Sequence, residues 1–211
     1  MRNHVRLGST LLALTFGLGL GGDARASFVV NMTQVGGDVV AKGNGSINFT
    51  ALTFMDTSTS LTTINPQNGA IVIGGQGNYN FISGDFYVGT INGPSSLGSG
   101  VYSPAQVASG DQVGASSSLD IIVPAHYTSG ASLTSSSTWT GATFASLGVT
   151  TGTYTWTWGS GATADSFTLN VGGPAAVPEP ASLAMLGLGS FAVLGCARRR
   201  RTKPADVADR A

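Results

Sequence analysis

Thr153-Tyr154-Thr155-Trp156-Thr157-Trp158, then Gly159-Ser160-Gly161-Ala162, then Ser166-Phe167-Thr168-Leu169-Asn170-Val171 is the stretch that decides the fold class. Both hexads alternate without a break, and a side-chain period of two belongs to a β-strand. Tyr154, Trp156 and Trp158 share one face, with three threonines on the other. Phe167, Leu169 and Val171 likewise fall together, and the small residues between the hexads allow a turn.

Working outward, strand-length runs recur at Phe28 to Val35, Asp38 to Lys42, Ser46 to Leu52, Ala70 to Ile73, Asn78 to Ile82 and Asp85 to Ile91. More follow at Ser118 to Val123 and Ser137 to Thr140, and Gly36-Gly37 is a hairpin turn candidate. No sustained helical repeat interrupts them. Many short strands between turn residues predict an all-β body, an antiparallel β-sandwich or jelly-roll-like domain over residues 27–173. The hydroxyl-rich patches at Ser95 to Ser99, Ser116 to Ser118 and Ser135 to Thr138 are expected to be loops or edge segments.

The aromatic row has two readings. As core, each large ring removes on the order of 150–250 Å² from water. As an exposed platform, Tyr154, Trp156 and Trp158, with Trp139 as a further contributor, would stack sugar rings of an exopolysaccharide. Core is the expected reading, because the alternation alone does not say which face is wet.

The two ends of the 211-residue chain differ from this body. Arg2, His4 and Arg6 precede an apolar stretch from Leu7 to Leu20, and Ala24-x-Ala26 presents the small side chains that a signal peptidase accepts. Residues 1–26 therefore read as a signal peptide for the Sec machinery, cleaved after Ala26. At the other end, Gly172-Gly173-Pro174 leads through a linker over 174–180 into Val177-Pro178-Glu179-Pro180. An apolar span over 181–197 follows, then Arg198, Arg199, Arg200 and Arg201 in a basic tail over 198–211. Seventeen helical residues at about 1.5 Å each reach roughly 25 Å, near the lower limit for a bilayer. A single transmembrane helix with its arginines inside and the body outside agrees with the cleaved signal.

Proline-glutamate-proline, span and arginine cluster, in that order, resemble the tripartite tail of PEP-CTERM proteins. The resemblance implies recognition and removal of the tail by exosortase in a Gram-negative bacterium, in a setting of exopolysaccharide and biofilm. It makes Val177, Pro178, Glu179, Pro180 and Arg198 to Arg201 a processing and sorting site. The implied route is export, a transient inner-membrane anchor, and then the cell surface or extracellular matrix.

The formal charge of zero averages unlike parts. Between Ser27 and Val177, six aspartates stand against Lys42 alone, a net −5, so the counterion release that drives nucleic-acid binding has almost nothing to act on. Cys196, the one cysteine, falls in the tail span and leaves the body without disulfide or thiolate ligands. His126 with Asp120 six residues before it is the nearest approach to a catalytic pair, yet no Gly-x-Ser-x-Gly elbow accompanies it. A turn histidine after Pro124 is the expected reading. The body has no glutamate, no Asp-x-Asp-x-Asp ladder and too few His or Cys for zinc, so neither metal, cofactor nor enzyme is expected. Gly74-Gly75-Gln76-Gly77 lacks the Lys-Ser/Thr of a phosphate loop and reads as a turn.

Overall fold

A computed structural model of the chain describes residues 27–77, 80–117 and 120–172. The expected signal peptide with Ala24 and Ala26 lies outside the described residues, as do the linker, span and basic tail with Val177, Pro178, Glu179, Pro180, Arg198, Arg199, Arg200 and Arg201.

Strands dominate the described chain: β1 (Ser27–Val35), β2 (Asp38–Ser46), β3 (Thr53–Ser60), β4 (Thr63–Asn65), β5 (Ala70–Ile73), β6 (Ile82–Val88) and β7 (Ile91–Asn92) come first. Then follow β8 (Ser103–Pro104), β9 (Val107–Gly110), β10 (Val113–Ala115), β11 (Asp120–Pro124), β12 (Ser132–Trp139), β13 (Gly152–Trp158) and β14 (Asp165–Val171). One short helix, α1 (Phe144–Leu147), is started by a capping box in which Thr143 and Ser146 bond each other's backbone N–H.

Two seven-stranded sheets result, ordered β7-β13-β14-β1-β2-β12-β9 and β3-β6-β11-β10-β5-β4-β8. The all-β expectation holds, with one departure from a purely antiparallel sheet. β1 and β14 pair in parallel, placing Phe28 beside Phe167, Val30 beside Leu169 and Met32 beside Val171. Parallel neighbours need a long crossover. Here nearly the whole body supplies it, because the first and last strands meet at the centre of the first sheet.

The alternation sets the layers. In the first sheet Phe28, Val30 and Met32 of β1, Phe167, Leu169 and Val171 of β14, and Val39 and Ala41 of β2 are buried. Ile71 and Ile73 of β5, Val113 and Ala115 of β10, and Ile121 and Val123 of β11 join them from the second sheet in one core cluster. Gly43 marks how close the layers come: a β-carbon there would stand 2.6 Å from the Phe28 ring and 2.7 Å from Ile73 Cδ1.

The two-residue turn at Gly36-Gly37 is present, with Val35 paired to Asp38 and Gly36 at φ +62°. Gly74 at φ +76° likewise begins a turn after β5. Its N–H donates to Ser137 Oγ at 2.9 Å, and the Gly75 N–H donates to the Gly110 carbonyl at 2.9 Å. The glycine run is therefore a turn between strands.

Several expected boundaries move. Residues 47–52 are a loop and not part of a strand from Ser46 to Leu52, because the Asn48 side chain takes the Thr50 N–H at 3.0 Å and Leu52 N–H closes back on Phe49 at 2.8 Å. The strand falls instead at β3, whose threonines and serines carry no apolar alternation. Of the expected Asn78 to Ile82 strand, residues 78–79 lie outside the described residues and β6 begins at Ile82, while the stretch from Asp85 to Ile91 divides between β6 and β7. The Ser135 to Thr138 patch is neither loop nor edge: it lies within β12, between β2 and β9. Ser135 and Ser137 point inward there and are buried.

Candidate functional site

The aromatic row is settled by its place in the first sheet. β13 pairs with β14 so that Trp156 stands beside Phe167 and Trp158 beside Asp165. The row's face is the one turned to the second sheet, so Trp139, Trp156 and Trp158 are only 1 %, 0 % and 3 % exposed. Trp156 meets the Phe167 ring edge-on at 5.4 Å, and Trp139 Nε1–H donates to the Ser103 carbonyl at 2.9 Å. Tyr154 is half-buried and spends its hydroxyl on the Thr150 carbonyl at 2.9 Å. Trp139, Tyr154, Trp156 and Trp158 therefore form no exposed sugar platform: an indole stacks on a sugar only with an open face, and the three tryptophans are dry, which leaves half-buried Tyr154 alone. Each tryptophan contributes up to about 5 kcal/mol of gross transfer free energy to the core.

The opposite face of the same strands is polar and ordered. Thr153 Oγ1–H donates to Asn170 Oδ1 at 2.9 Å, and Asn170 Nδ2–H donates to Asn31 Oδ1 at 3.0 Å, joining β13, β14 and β1 by a side-chain chain.

Where β13 and β14 turn into each other lies a node that the alternation did not disclose. Asp165 is 5 % exposed, and its carboxylate accepts the Asn48 N–H at 2.5 Å and the Ser166 N–H at 2.6 Å. Trp158 Nε1–H donates to the Asn48 carbonyl at 2.8 Å, so one residue of the 47–52 loop is held at both its backbone N–H and its carbonyl. Burial pushes the Asp165 carboxyl up to about 6, against the two backbone N–H groups that lower it. A cavity of about 250 Å³ beside it is lined by Thr155, Thr157, Trp158 and Asp165 among others. Both carboxylate oxygens are engaged by backbone, which makes this an anchor for the loop. The one signal in the sequence was an acid placed directly before an alternating strand.

The remaining candidates are not assembled. Asp120 opens β11 and His126 follows its far end, so the length of a five-residue strand rising about 3.3 Å per residue lies between them. His126 is exposed at φ +64°, and its N–H donates to Asp85 Oδ2 at 2.8 Å, which is a turn's role. Asp120 accepts from the Ser116 hydroxyl. Among the described residues no three His, Cys, Asp or Glu side chains gather as a metal site, and no helix is long and apolar enough to cross a membrane.

Comparison with known proteins bears on the tail. Residues 176–201 match the family described as PEP-CTERM protein-sorting motif. The chain carries a PEP-CTERM sorting motif. The match begins one residue before Val177 and ends on Arg201, and so takes in Pro178, Glu179, Pro180 and the whole arginine cluster. A PEP-CTERM tail marks an exported protein targeted to exosortase, carried through the membrane to the cell surface or beyond. No curated protein and no solved structure matches the chain.

Proposed function

We propose that this PEP-CTERM chain is a non-enzymatic structural protein of the cell surface or biofilm matrix. Its β body is exported behind a signal peptide, held briefly by the tail span, and released when exosortase processes the segment around Pro178-Glu179-Pro180. The observation that carries the reading is the tail: motif, apolar span and Arg198 to Arg201 in order within one match. Prolines on either side of an acid disfavour helix, and an extended segment is the form in which a protease takes its substrate. The body adds support of its own, because its three tryptophans are spent on the core.

Fractionation of producing cells tests the proposal. The Glu179→Ala chain is expected to remain larger and membrane-bound while the unsubstituted chain reaches the surface in shorter form. Unchanged size and location would remove the processing step.

A further inference from the structure

Four strands end the two sheets. β7 and β8 have two residues each, β8 closing on Pro104, and β9 has four. Short strands and proline are the usual means of keeping a sheet edge from pairing with another chain. The fourth edge, β3, is eight residues long and is not protected in this way. Thr53 to Thr59 are all exposed, no lysine or proline interrupts them, and Asp56 is the one charge. Phe54 and Met55, 51 % and 56 % exposed, sit on this edge, Met55 at a bulge.

The edge is also held firmly from its inner side. β3 pairs with β6 along its length, Thr57 Oγ1–H donates to Asp85 Oδ1 at 2.7 Å, and the Phe54 ring meets Tyr87 edge-on at 5.7 Å. A strand already ordered loses little conformational entropy when another is added to it.

We infer that the free edge of β3 pairs with β3 of a second copy of this chain, antiparallel about a two-fold axis at Ser58. Charge favours an antiparallel arrangement, and this register is free of acid pairs. Centred on Ser58, the regular part of the strand sets Thr57 opposite Thr59 and Asp56 opposite Ser60, giving threonine pairs and no acid against acid. The Met55 bulge of each copy then lies beside Leu61 of the other. Parallel in-register stacking would instead set Asp56 on Asp56 in a body already net negative, which disfavours a fibre. A two-fold contact uses the same edge on both copies and closes, so the product is a dimer. Its small area makes it concentration-dependent. The pairing is a property of the body and stands whether or not the tail is processed as proposed above.

The test uses the full chain in mild detergent with Cys196→Ser, which removes the one native thiol. Under mild oxidation the Ser58→Cys chain is expected to form a disulfide-linked dimer at least about ten-fold faster than a Thr134→Cys chain, whose position is equally exposed but on β12. In sedimentation, Ser58→Lys, which opposes two ammonium groups at the axis, is expected to lose the dimer that the unsubstituted chain forms as its concentration rises. Equal cross-linking rates, or a Ser58→Lys chain that associates as tightly as the unsubstituted one, would overturn the pairing.

Discussion

Asp165 and Asn48, 117 residues apart, are joined by a hydrogen bond from the Asn48 backbone N–H to the Asp165 carboxylate, while Trp158, Asp165's cross-strand neighbour, takes the Asn48 carbonyl. The contact ties the loop before β3 to the turn between β13 and β14, and it does so with a buried acid.

That acid makes stability depend on pH. The folded carboxyl, at about 6, lies above its ordinary value of 3.8, so between these values the folded chain binds a proton that the unfolded chain releases. Stability from this group therefore rises as pH falls from about 7 to about 4, by roughly 2–3 kcal/mol. Melting temperature followed over that range should climb toward acid in the unsubstituted chain. Asp165→Asn, which has no proton to bind, should flatten the difference; parallel pH profiles for the two chains would contradict the assignment.

Two tryptophans offer a comparison at nearly equal burial. Trp139 Nε1–H is bonded to Ser103, whereas the buried Trp156 Nε1 has no partner among the described residues. Replacing either by Phe removes similar volume, but Trp139→Phe also breaks a formed hydrogen bond and leaves the Ser103 carbonyl to the Thr63 hydroxyl at 3.1 Å. We predict that chemical denaturation shows Trp139→Phe to be the more destabilising by about 1 kcal/mol.

Gly43 is a packing requirement. Its place between the Phe28 ring and Ile73 leaves no room for a methyl group, both neighbours being core side chains from the two sheets. Gly43→Ala should lower stability by about 1–3 kcal/mol, measured by urea unfolding with an unchanged m-value. Gly37→Ala, where a β-carbon meets nothing within 4 Å, is the control and should be near neutral.

Ser137 serves the turn after β5. It is 1 % exposed and its Oγ is the acceptor for the Gly74 N–H. Ser137→Ala leaves that buried N–H unpaired and should cost about 1–3 kcal/mol, whereas Ser136→Ala, on the opposite face of the same strand, should cost little. Amide hydrogen exchange at Gly74 should speed up only in the Ser137→Ala chain.

Strands with a bulky apolar alternation were legible from residues alone: β1, β5, β13 and β14 fall within a residue of their expected bounds. β3 and β9 were not, since Thr, Ser and Gly give no period to read, and only pairing with β6 and β12 makes them strands. The serines of β12 failed for the same reason. A hydroxyl reads as wet until a backbone donor from a distant turn satisfies it.

What the sequence determined by itself is what acts as a linear signal or follows from local stereochemistry. The PEP-CTERM tail is such a signal, since its recognition needs a motif, a span and a charge cluster in order. So is the division of Thr153 to Trp158 into an aromatic and a threonine face, which the pleat imposes on any strand. The tertiary structure decided which of those faces is dry. Burial is a property of two surfaces brought together: Trp156 and Trp158 became core only when the second sheet covered them, and β3 was left exposed because no strand among the described residues lies beyond it.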